Sequence, residues 1–118
     1  MVYVRSKAKE HGRGKQIEGK FTPGQKVVVV EDIVSTGGSS ITAVEALRAA
    51  GCEVLGVVCV YTYNLPKAEQ AFEQLGVKYV SLTNFDYLIE AASETGAIEA
   101  DQIPFLKDWH AKLKAGEL

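Results

Sequence analysis

The chain reads as an α/β domain, a Rossmann-like parallel sheet flanked by helices, and three observations predict it. Val27 to Val30 is an unbroken β-branched run, the pattern of a strand buried on both faces in a parallel sheet. A Ser/Thr/Gly stretch and then apolar residues at helical spacing follow it. A second apolar run, Val54 to Tyr61, comes one helix later and completes a βαβ unit. A length of 118 residues suits one domain, 1–118, and leaves little room for a second.

The elements follow in order. Val2 to Val4 reads as a short strand. Arg5 to Lys20 is polar, glycine-containing and rich in positive charge, with no apolar period, so residues 5–20 are expected to form a mobile loop. Thr22-Pro23-Gly24-Gln25 is a turn leading into the Val27–Glu31 strand. Ile41, Val44 and Leu47 mark the inner face of the next helix, which Gly51 closes. Val54–Tyr61 is the second core strand. Pro66 opens a helix with Ala68, Ala71, Phe72 and Leu75 inside, closed by Gly76. Val77–Leu82 is a further strand. Asn84 caps a helix that buries Phe85, Leu88, Ile89 and Ala92. Asp101 is expected to cap the last helix, with Ile103, Leu106, Trp109 and Leu113 on one face and His110 exposed beside them.

Composition narrows the function. Hydrophobic residues at 47% with 24% charged ones describe an ordinary globular chain, not a disordered one. A net charge of −2 is wrong for a general nucleic-acid binder, which needs a basic face. No apolar run approaches the roughly 20 residues that span a bilayer, and Met1 opens no signal-peptide pattern. No nucleic-acid or membrane partner is therefore expected. Cys52 and Cys59 lack metal-ligand spacing, so they are expected to be inert buried thiols in a reducing cytoplasm.

The chemistry concentrates in residues 27–40. Strand, Glu31-Asp32, Ile33-Val34, then Ser35-Thr36-Gly37-Gly38-Ser39 before a helix is a layout for a phosphorylated sugar. A helix N-terminus offers backbone N–H groups and a favourable dipole to an anion. Glycines let backbone approach phosphate closely, and hydroxyls add donors. Ionised Glu31 and Asp32 only accept hydrogen bonds, which suits sugar hydroxyls or a hydrated Mg²⁺. The plain alternative is a strand-to-helix turn with an acidic cap. The rival phosphate motifs, G-x-G-x-x-G after a strand and G-x-x-x-x-G-K-[ST], are absent.

This stretch resembles the 5-phosphoribosyl-1-pyrophosphate (PRPP) signature of the type I phosphoribosyltransferases. The preceding segment, Tyr3-Val4-Arg5-Ser6-Lys7 through His11-Gly12 to Ile17-Glu18-Gly19, resembles the flexible catalytic loop of orotate phosphoribosyltransferases. By composition alone it reads equally as a functional loop or as a solvated, disordered basic stretch. The resemblance implies phosphoribosyl transfer from PRPP to orotate, giving orotidine 5′-phosphate and pyrophosphate, with Mg²⁺ and as a homodimer. It implies Arg5, Lys9 and His11 on the pyrophosphate, with Lys7 one place beyond the position, here Ser6, where some relatives carry a further Lys. It puts Glu31 and Asp32 on the ribose hydroxyls and Ser35 through Ser39 around the 5′-phosphate, with Ile33 and Val34 among the substrate-binding residues. Asp32, Glu31, Lys9 and His11 would be the catalytic set.

Two departures go with it. Some orotate enzymes place an Arg after the second core strand to hold the orotate carboxylate, and none occurs between Gly51 and Pro66. Tyr61 and Tyr63 could touch a base there, or simply pack. The family core also has more parallel strands than can be counted here, so the chain is expected to be a C-terminal portion, lacking the N-terminal strands and hood, with an exposed sheet edge and apolar face. Two other readings stay open: a module that binds PRPP or phosphate without chemistry, and a structural fragment.

Overall fold

The structure is a computed structural model, and it describes residues 1–6 and 16–118. Three parallel strands form the central sheet in the order β3-β4-β5: β3 Lys26–Val34, β4 Glu53–Thr62 and β5 Lys78–Asn84. α1 (Gly38–Ala49) joins β3 to β4 and α2 (Pro66–Leu75) joins β4 to β5. α3 (Phe85–Glu94), a 3-10 turn (Ala100–Gln102) and α4 (Ile103–Lys114) follow. The predicted α/β class and parallel sheet are therefore present.

β4 is hydrogen-bonded on both sides and sets the register. Val29 lies opposite Val57, and Val57 opposite Tyr79, so all three point to the helix side. The register slips by one residue where Val27–Val28 meets Val54–Gly56, a bulge that leaves Leu55 out of step. Gly56 sits at the slip because a Cβ there would come within 3.1 Å of the Lys78 carbonyl oxygen.

The core lies between the sheet and the helices α1 and α2. Val44, Val57, Cys59, Ala68 and Phe72 are each at most 1% exposed. Phe72 stacks on Tyr79 with ring centroids 4.6 Å apart. Arg48 donates to the Leu75 carbonyl at 2.7 Å and ties α1 to the last turn of α2. The expected helix ends hold. Pro66 opens α2, Gly76 closes it with φ +69°, and the Asn84 side chain accepts from the Tyr87 N–H at 3.1 Å.

Several expectations need correction. The valine run is not buried on both faces. Val28, Val30, Leu55, Val60, Val80 and Leu82 are 46–79% exposed on the side away from α1 and α2. The chain has a radius of gyration of 17.3 Å, against ~13.5 Å for a compact domain of this length. The anticipated apolar face is thus present. The first strand does not join the sheet. Tyr3–Val4 (β1) pairs antiparallel with Ile17–Glu18 (β2), so the predicted 5–20 loop is closed by a small ribbon. Leu88 is half-exposed, so α3 buries only Phe85 and Ile89. Asp101 does not cap the last helix. Glu99 forms a capping box with Gln102, because the helix is entered through the 3-10 turn. His110, expected to be exposed, is 4% exposed.

Phe72→Ala should cost about 3–5 kcal/mol, read from the urea midpoint; a change under about 1 kcal/mol would contradict its central place. Burial pushes the Tyr79 phenol from 10.0 up to about 12, so the fold prefers it neutral. That preference contributes fully below pH 10 and is lost as pH rises through about 12. Melting temperature should fall over that window, and Tyr79→Phe should flatten the fall.

Candidate functional site

The site is built where β3 hands the chain to α1. β3 continues through Ile33 and Val34, so Glu31 and Asp32 sit inside the strand and not at its end. Neighbouring strand residues point to opposite faces. Glu31 is half-buried and lies opposite Cys59 in the register. Its charge adds to the burial that raises the Cys59 thiol pKa, while the Tyr79 hydrogen bond opposes it. Asp32 is exposed, and its Oδ1 accepts the Ile33 N–H at 2.7 Å. The two carboxylates therefore leave the strand on different sides. Ile33 is half-exposed and Val34 is buried as a packing residue.

The turn that follows is shaped by Gly37, the residue before α1, at φ +88°. That left-handed backbone suits glycine. A second constraint is packing, since a Cβ on Gly37 would lie 3.2 Å from Phe72 Cζ and 3.6 Å from Ala68 Cβ. The turn thus rests on the inner face of α2. Ser35, Thr36, Gly38 and Ser39 are exposed. Among the described residues no side chain caps α1, and no acid stands in its first turn. The first N–H groups of a helix have no partner within it, so this terminus is positive and uncapped. Ser40 is 0% exposed, and its Oγ has no hydrogen-bond partner among the described residues.

A cleft of about 850 Å³ runs along the free edge of β3, between that strand and the β1–β2 ribbon. Arg5, Glu31 and Ser39 line it together, with Val28, Val30 and Leu47 as its apolar wall. Arg5 is drawn to Glu18, with Nε 2.8 Å from Oε1, and that hydrogen bond and charge raise its pKa. Lys7, Lys9 and His11 lie outside the described residues. Among the described residues, no group of three or more His, Cys, Asp or Glu side chains could hold a metal ion. No helix among them is long and apolar enough to cross a membrane.

The carboxyl edge of β4 carries a group of residues that sequence reasoning treated lightly. Tyr61 and Tyr63 meet edge to face at 5.0 Å, and Tyr63 meets Trp109 at 6.3 Å. Both tyrosines pack, and burial raises the Tyr61 phenol. Asn64 takes a left-handed backbone, φ +56°, and its Nδ2 donates to Asp86 Oδ2 at 3.1 Å. His110 Nε2 lies 2.6 Å from the Tyr63 carbonyl. The signal for this edge in the sequence was only its place after a core strand.

Known proteins match this arrangement. The phosphoribosyl transferase domain family matches residues 1–90. The orotate phosphoribosyltransferase of Listeria monocytogenes serotype 4b (strain F2365) is 56% identical over 109 residues, 92% of this chain and 52% of its own length. That of Bacillus subtilis (strain 168) is 57% identical over 109 residues, 92% of this chain and 50% of its own. The chain spans about half the length of the curated relatives it matches. Among solved structures, Leishmania donovani UMP synthase superposes with a TM-score of 0.77 at 28% identity, covering 94% of this chain and 24% of that one. The Mycobacterium tuberculosis H37Rv orotate phosphoribosyltransferase in complex with PRPP gives a TM-score of 0.60 at 37% identity, covering 72% and 47%. The β3 strand, its two acids and the uncapped turn into α1 all fall within the matched residues 1–90, and the chain belongs to the phosphoribosyl transferase domain family.

Proposed function

We propose that these residues form the PRPP-binding part of an orotate phosphoribosyltransferase, which transfers phosphoribosyl from PRPP to orotate and releases pyrophosphate. One observation carries the reading. An uncapped helix terminus without a first-turn acid stands directly behind Glu31-Asp32, in a chain 56% identical to a protein named for that activity. Peptide N–H groups of Ser35 to Ser39 suit the 5′-phosphate. Asp32, exposed on one side of β3, suits the ribose hydroxyls. Glu31 lines the cleft with Arg5 and Ser39, where sugar and pyrophosphate would lie.

The reaction loosens the bond from ribose C1 to pyrophosphate before a ring nitrogen of the base attacks. Positive charge develops on the sugar and negative charge on the leaving group. The carboxylates are assigned to the first charge; because they leave β3 on different sides, the sugar must lie at the free edge of that strand to meet both. Arg5, Lys9 and His11 are assigned to the second, which requires Arg5 to exchange Glu18 for pyrophosphate. Mg²⁺, when bound, neutralises charge on the pyrophosphate. The described residues offer it no cage, but the single exposed Asp32 carboxylate fits an ion that keeps most of its waters. A cytoplasmic homodimer belongs to the same reading; the free Cys52 and Cys59 suit a reducing compartment.

The second reading, a module that binds the sugar phosphate without turnover, is favoured by one fact. Among the described residues, the sheet face that carries Val28, Val30, Val80 and Leu82 is uncovered. Calorimetry with PRPP and an assay for orotidine 5′-phosphate separate the two, because a module binds and makes no product.

Asp32→Asn, placed in a protein of the relatives' length carrying these residues, should lower turnover about 10²-fold or more with little change in melting temperature. An unchanged rate would remove Asp32 from the reaction. Gly37→Ala should cost about 1–2 kcal/mol of stability through its positive φ. It should also weaken ribose 5-phosphate binding at least tenfold, measured by calorimetry. Wild-type affinity in that variant would mean the turn does not hold the phosphate. If the homodimer is right, sedimentation should give twice the chain mass; a monomer with a wet apolar face should bind the dye ANS.

A further inference from the structure

We propose that His110 is a positioning residue for the nucleobase side of the site. It fixes the Tyr63–Leu65 segment that leaves the carboxyl edge of β4. The inference rests on the reading above, because it names what shapes the second-substrate wall of that same site.

Of the 12 residues of α4, His110 is the one that is buried, at 4% exposure. An amphipathic helix ordinarily docks through aliphatic side chains, yet Ile103, Leu106, Trp109 and Leu113 are only half-buried here. His110 instead reaches Tyr63 across 47 positions of sequence, with Nε2 2.6 Å from its carbonyl oxygen. A carbonyl only accepts, so Nε2 carries the hydrogen and donates. The ring lies 4.0 Å from that of Phe85.

Tyr63 is held from both sides. Its N–H donates to the Val34 carbonyl at 3.2 Å. Val34 is the last residue of β3 and precedes Ser35 of the phosphate turn. The Tyr63 carbonyl in turn accepts from His110 Nε2. The next residue, Asn64, sits in the left-handed region and is tied to Thr62 Oγ1 at 3.2 Å and Asp86 Oδ2 at 3.1 Å. A strained backbone persists only where its surroundings over-determine it. α3 supplies Asp86 and Phe85, and α4 supplies His110 and Trp109. The two C-terminal helices thus brace one short segment, and that segment lies at the sheet edge where open α/β folds bind ligands.

The test compares two ligands and two variants of the chain. His110→Phe keeps an aromatic ring on Phe85 and loses the donor. His110→Gln keeps a donor at the reach of Nε2. Affinities for orotidine 5′-phosphate and ribose 5-phosphate are measured by calorimetry, with Trp109, the single tryptophan, reporting helix docking by fluorescence. His110→Phe should weaken orotidine 5′-phosphate about fivefold or more and ribose 5-phosphate less than about twofold, since a segment freed of its donor must be ordered again when the nucleotide binds. His110→Gln should restore the nucleotide affinity to within about twofold. An equal loss for both ligands, no loss, or failure of Gln to rescue overturns the proposal. If His110→Phe does not fold, His110→Asn, polar but too short to reach the carbonyl, takes its place with the same expectation. A chain with its native His110 that binds neither ligand overturns the function reading itself, and this inference with it.

Discussion

The seat of Gly37 on the Phe72 ring governs the rest of the molecule. The turn must take a left-handed step to start α1 where it does, and the aromatic ring beneath leaves no room for a side chain. Phe72 is in turn pinned by Tyr79, stacked at 4.6 Å on β5. One line of contacts therefore runs from the third strand of the sheet, through α2, to the backbone that presents free N–H groups. The proposed phosphate seat relies on peptide groups of this turn. Its geometry is inherited from what packs below it, which explains why two core aromatics matter to a surface turn.

The order of elements was legible because each carries local marks: the valine run, Pro66 and Gly76 around α2, and Asn84 before α3. The residues that make the turn were legible for the same reason, being contiguous. What escaped was decided at a distance. His110 is adjacent to the apolar stripe of α4 and reads as its wet neighbour; its burial comes from Tyr63, which no local pattern links to it. Asp101 is as good a cap by type as Glu99, and the 3-10 entry into the helix decides between them. The length of β3 was underestimated because acids usually end a strand, whereas here Ile33 and Val34 continue pairing with Tyr61 and Thr62. That extension separates Glu31 from Asp32 onto two sides. Arg5 was legible as a cation but not as the partner of Glu18, a pairing that needs the β1–β2 register.

The valine run shows how one pattern serves two environments. Val29 is buried against α1 while Val30 is 79% exposed, although both are the same residue in the same strand. Alternation of side chains places them on opposite faces. A sequence that is apolar on both sides suits a sheet covered on both, and the structure covers one. The open face follows from that.

Cys59 carries a quieter implication. Its thiol is 1% exposed in the middle strand, donates to the Tyr79 phenol at 3.7 Å, and is held protonated by burial. Thiolate is the form that alkylating reagents consume. Modification of this atom must wait for β4 to part from its neighbours, so the speed of labelling is a clock for transient separation of the strands. The cysteine is silent in the chemistry of the turn, and that silence makes it an internal timer of how often the layer beneath the turn comes apart.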